Sequence, residues 1–138
     1  MTFDNFTIKA QEAVQEAINS VQRAGQQSIE PVHILRGVMN KGKDVTNFIF
    51  QKLSINAQTV DTLLDREITH LPKVQGGQAY LSNDSNAVLQ KSIDYSKEMG
   101  DEFVSLEPIL VALLNVKSTA ANILRDAGMA EKDLRAAI

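Results

Sequence analysis

A chain of 138 residues, 43% apolar and 22% charged, has the length of one ordinary domain and the composition of a folded one, which excludes a disordered or low-complexity class. A net charge of −3 without clustered Lys and Arg argues against nucleic acid as a partner, and no segment approaches the roughly 18 apolar residues of a membrane span. The absence of cysteine removes disulfides, thiolate metal sites and cysteine nucleophiles, and the first ten residues lack the apolar run of a leader, so a cytoplasmic setting is expected.

The first predicted helix carries Ala10, Ala13, Val14, Ala17, Ile18 and Val21 at spacings of three and four. Thr7 caps its start and Gly25 ends it. Pro31 suits the first turn of a second helix with Ile34, Leu35, Val38 and Met39 on its buried side, and Gly42 breaks it. Asp44 is a candidate cap for a short third helix through Phe48, Ile49 and Leu53, and Asn56 for a fourth through Val60, Leu63, Leu64 and Ile68. Leu71-Pro72-Lys73-Val74-Gln75-Gly76-Gly77 has no period and reads as a linker.

The pattern then restarts. An offset of 75 sets Thr7 on Ser82, Ile18 on Ile93, Gly25 on Gly100, Ile29 on Val104, Ile34-Leu35 on Ile109-Leu110 and Asn40 on Asn115. Beyond Asn115 an offset of 74 sets Ile49 on Ile123, Ile55 on Met129, Val60 on Leu134 and Leu64 on Ile138. Caps, stops and apolar positions recur together, which marks an internal duplication. The expected fold is all-α: eight helices in two four-helix repeats (about 4–71 and about 82–138) joined by a linker (about 72–81) within a single domain, 1–138. Each unit is too small to bury a comfortable core alone, so the two pack with pseudo-twofold symmetry and leave a cleft along the seam.

Catalytic signals are weak. Gly37-Val38-Met39-Asn40-Lys41-Gly42-Lys43-Asp44 satisfies G-x-x-x-x-G-K but ends in Asp where a phosphate loop needs Ser or Thr, and it follows a helix instead of a strand. His33 and His70 share no metal-ligand spacing, and no nucleophile stands beside a histidine in a recognisable motif. No metal, cofactor or catalytic residue is expected. Asp101, Glu102 and Glu107 flank the sixth helix, where they either hold a cationic group of a peptide or simply favour a helix start. Phe103, Leu106 and Pro108 are either cleft residues that bind extended apolar segments or core.

Phe6-Thr7-Ile8-Lys9-Ala10-Gln11-Glu12-Ala13, Ile29-Glu30-Pro31-Val32-His33-Ile34-Leu35, Leu71-Pro72-Lys73-Val74, Tyr80-Leu81-Ser82 and Gly100-Asp101-Glu102-Phe103-Val104-Ser105-Leu106-Glu107 together resemble the amino-terminal, tandem Clp-repeat domains of the ClpB family of AAA+ disaggregases. The resemblance spans essentially the whole chain and implies a noncatalytic module that takes up exposed hydrophobic segments of unfolded or aggregated proteins. It also implies a hexameric ATPase ring in the parent chain, which needs ATP and magnesium and works with a DnaK-type chaperone system. The ring's Walker motifs are absent from this sequence, so it is expected to be one domain of such a protein. Carried over from the resemblance, Thr7, Asp101 and Glu107 position client backbone or basic groups, with Leu89, Phe103 and Pro108 as candidate apolar contacts. Relatives of the ClpC and ClpA type dock folded adaptors, and ClpC binds phosphoarginine through an acid at each of two matching places. Here those places read Val32 and Glu107, which puts a paired phosphoarginine site in doubt and biases the seam toward the second repeat.

Overall fold

Side-chain caps set where half of the eight described helices begin. In the computed structural model, which describes residues 2–138 and so leaves Met1 of the expected domain outside the described residues, Thr7 Oγ1 accepts from the Ala10 N–H at 3.1 Å and opens α1 (Ile8–Arg23). Ser82, its counterpart, accepts from the Ser85 N–H at 3.0 Å and opens α5 (Asn83–Glu98). Between them lie α2 (Pro31–Lys41), α3 (Lys43–Lys52) and α4 (Ala57–His70), and after them α6 (Leu106–Asn115), α7 (Thr119–Asp126) and α8 (Glu131–Ala137). Asn56 caps α4 as expected, Ser118 caps α7, and Pro31 is the first residue of α2.

Asp44 is not a cap. Only Gly42 separates α2 from α3 and serves both as the end of one and the start of the other, so Asp44 falls inside the first turn of α3. There its carboxylate favours the positive end of the helix without bonding a backbone amide.

The same stop closes α1, α3, α5 and α7. Gly25, Ser54, Gly100 and Gly128 have φ of +69°, +57°, +77° and +110°, and the next residue's N–H reaches back to the carbonyl five positions earlier. The bonds are Gln26 to Val21 (2.9 Å), Ile55 to Phe50 (2.8 Å), Asp101 to Ser96 (3.0 Å) and Met129 to Leu124 (3.0 Å). Both offsets read in the sequence reappear here as backbone geometry.

Two short parallel contacts stitch the repeats, and each crosses between them. Strand β1 (Ser28–Ile29) lies beside β2 (Tyr80–Leu81), pairing Ser28 with Tyr80 and Ile29 with Leu81, so the last two residues of the expected linker are ordered pairing partners. The mirror contact joins Phe6 to Val104. Matching bonds appear in both: Ser82 N–H to Ile29 O at 3.1 Å and Thr7 N–H to Val104 O at 2.8 Å. The segment that leads into the first helix of each repeat therefore pairs with the segment before the second helix of the other.

Helices α2 and α6 occupy the centre, with α4 against α7 and α3 against α8 across the seam. From Leu106 to Leu114 only Glu107 escapes full burial, which fits a helix enclosed on all sides. The glycines of the phosphate-loop look-alike have packing roles. Gly37 lies within α2 where a Cβ would run into the Ala13 carbonyl of α1, and Gly42 faces the Leu106 side chain. They let two helices and a side chain approach closely.

Candidate functional site

The loop between α5 and α6 carries the acids singled out in the sequence, and it is held from both sides. The Gly100 turn ties Asp101 to Ser96 O, and the Ser96 hydroxyl donates to Phe103 O at 3.1 Å. Val104 then donates to Asn5 O at 2.8 Å and accepts from Thr7 N–H. Asp101 is exposed, and Glu107 is half-buried in the first turn of α6.

These two carboxylates line one depression of ≈ 430 Å³ with Met99, Ser105, Arg135 and Ile138. A second depression of ≈ 410 Å³ contains Glu107 and Ile138 again, together with Asp44, Val45, Phe48, Ile49 and Ala137. Sharing those two residues, they form one trough that runs from the α5–α6 turn across the seam to α3. Phe48 is 55% exposed and lines the second depression, where a ligand could cover it.

The other sequence candidates separate. Leu89 is 0% exposed and Pro108 is buried, as is Leu106; Leu89 belongs to an amphipathic run and the other two to a helix start, and all three turn to the core. Phe103 is 48% exposed, beside the trough but not lining it. Thr7 caps α1 and anchors the loop through its backbone, again outside the trough lining. Asp101 and Glu107 are the two predicted residues brought together.

Sequence reading missed Arg135. Its Nε donates to Glu131 Oε2 at 2.7 Å, its NH2 lies 4.0 Å from Glu98 Oε2, and its guanidinium sits 5.0 Å from the centre of the Tyr95 ring. The hydrogen bond from Arg135 holds the Glu131 carboxyl below its ordinary range. Nothing in the local sequence marks an arginine in a last turn as a site residue, and the offset of 74 equates Ile138 with Leu64, which is buried.

At the matching place in the first repeat the polar groups are used internally. The Glu30 N–H donates to His33 Nδ1 at 2.9 Å, His33 Nε2 meets Gln26 Oε1 at 2.8 Å, and Gln26 Nε2 donates to Ile68 O at 2.6 Å. Because Nδ1 accepts, the ring is neutral with its proton on Nε2, and burial pushes the His33 pKa down to about 4. Val32, in the place of Glu107, is 3% exposed, and the hollow beside it measures only ≈ 100 Å³. No group of three or more His, Asp or Glu among the described residues is arranged to hold a metal ion.

A duplicated helical unit with exchanged entry segments and one open seam defines the class. Residues 5–127 match the family described as the Clp repeat (R) N-terminal domain, and the chain belongs to it. Over all 138 residues the sequence is 67% identical to "Chaperone protein ClpB" of Bacteroides thetaiotaomicron and 44% identical to the protein of the same name in Porphyromonas gingivalis. In each case it spans 16% of the relative's length. The fold matches the crystal structure of the Hsp104 N-terminal domain from Candida albicans with a TM-score of 0.86 at 18% identity, covering 97% of this chain and 89% of that one. The likeness is thus to ClpB-type N-terminal domains, and none of the chain's helices is long and apolar enough to cross a membrane among the described residues.

Proposed function

We propose that the domain captures exposed apolar segments of unfolded or aggregated polypeptide and delivers them to the AAA+ ring of a longer parent chain in the cytoplasm. The single observation that carries this reading is the open trough across the seam between the repeats, where exposed Phe48 lies along the same depressions as Asp101 and Glu107. The ClpB names of the relatives supply the parent. ATP and magnesium are requirements of that hexameric parent, a DnaK-type system its co-worker, and neither engages this domain. Phe103 extends the apolar rim, while Thr7 positions the loop. Buried Val32 at the matching place weighs against a paired phosphoarginine site.

Affinity is modest, because an extended client loses conformational freedom and few side chains anchor it. Titrating the isotope-labelled domain with a permanently unfolded client should shift the amides of Asp101, Ser105, Glu107 and Ile138. Shifts confined to the face opposite the trough, or tight binding of a folded partner with none of the client, would replace this reading with an adaptor-docking one.

A further inference from the structure

We infer that the connector between the repeats is a proteolytic processing site, cut after Lys73 by an endoprotease that recognises Lys, and that the cut domain persists as one body of two chains. Residues 72–78 are the longest unbroken run of exposed residues among those described. Their only backbone hydrogen bond among the described residues runs from Val74 N–H to Gly25 O, at 2.9 Å. A protease takes its substrate as an extended segment on both sides of the bond it breaks, so helical or pinned backbone has to open before it can be cut. Past Val74, Gly76 and Gly77 stand at φ of +75° and +84°, and a Cβ at Gly76 would meet no atom within 4 Å, so this stretch is free to extend.

The other connections do not offer this. Residues 99–105 hold no Lys or Arg and are pinned by the Gly100 turn, by Val104 N–H to Asn5 O and by the Ser96 hydroxyl on Phe103 O. Lys117 also lies outside the helices, but it is held between buried Val116 and Ser118, whose hydroxyl caps α7. Every remaining Lys and Arg is within a helix. Hydrolysis adds water across the Lys73–Val74 amide and leaves a carboxylate on Lys73 and an amine on Val74. What joins the two products is already non-covalent. The β1–β2 pairing, the Phe6–Val104 contact and the buried bond from the Ser85 hydroxyl to Ile29 O at 2.6 Å all cross the cut. So does the packing of α2 on α6, α4 on α7 and α3 on α8. Each product is one repeat, too small to close a core alone, and its fitting partner is the other.

The test is brief exposure of the folded 138-residue chain to trypsin, followed by intact mass, which should show 1–73 and 74–138 before any other product. Lys73→Gln should slow the loss of intact chain by about tenfold or more, because every other cut then waits for local opening. Lys117→Gln should leave the rate and the first products unchanged. Circular dichroism checks that both variants are folded. The two products should leave a size-exclusion column together at the volume of the intact chain and keep its helical signal. In urea they should come apart at a midpoint that rises with protein concentration, as a two-chain complex requires. A first cut at any other basic residue, or an unchanged rate in Lys73→Gln, would overturn the site. Products that elute apart or lose their helical signal would overturn the two-chain body.

Discussion

At the start of α2 the first repeat turns its polar groups inward, through Gln26, His33 and the Glu30 amide, while at the start of α6 the second repeat leaves Asp101 and Glu107 facing solvent. The backbones are the same at both places, down to the left-handed turn and its reach-back bond. Duplication thus supplied two equivalent corners, and side-chain differences closed one with internal hydrogen bonds and left the other open to solvent. Both corners carry carboxylates, Glu67 and Asp84 beside the small hollow of the first repeat and Asp101 and Glu107 beside the larger one, so the copies differ in open volume and in the buried His33–Gln26 pair.

Several measurements break or sharpen this contrast. Gly37→Ala should have the largest effect, a loss of about 3 kcal/mol in urea unfolding, because the Ala13 backbone cannot yield as a side chain would. Its counterpart Ala112 already carries a Cβ at 0% exposure, so the tight approach is a property of α1 and α2 only. Leu89→Ala should cost close to this, about 3 kcal/mol, as a core truncation. A cost within about 0.5 kcal/mol would return Leu89 to the groove.

Acidification should come next. His33 has a folded pKa of about 4 against 6.5 for the free group, so the unfolded chain takes up the proton first. Stability should be at its full value above pH 6.5, fall as pH drops toward 4, and level below it, losing about 3 kcal/mol. Unfolding curves across that range should lose this slope in His33→Gln. A smaller effect should separate the two stops after α3 and α7: Ser54→Gly should stabilise and Gly128→Ala destabilise, each by about 1 kcal/mol, as residues with positive φ. Smallest of all, Asp101→Asn with Glu107→Gln should change stability by less than about 0.5 kcal/mol, since neither carboxylate pairs within the fold.

Helix number, order and most caps were legible because their signals are local. Thr7, Asn56 and Ser82 bond an amide three residues on, and the restart of the pattern after the linker carries the rest. Asp44 misled because Gly42 joins two helices with no room for a side-chain cap. The strands escaped notice because two residues show no period. For the site, acids at a helix start were visible, but the facing direction of an apolar residue was not. Leu89 and Phe48 both sit in helical apolar patterns, yet one is core and the other surface, as the packing of α5 on α6 and of α3 beside α8 decides. Arg135 and Ile138 join Asp101 by tertiary contact across distant sequence, which no local pattern encodes.

The exchanged entry segments also set an order of events during synthesis. Asn5 and Thr7 leave the ribosome long before the backbone they bond, that of Val104, nearly a hundred residues later. Helices α1 to α4 can form early from local contacts, whereas Ile29 waits for Leu81 and Phe6 for Val104. A nascent first repeat therefore carries two unfilled strand edges until the second repeat arrives, and its completion depends on the very neighbour it resembles.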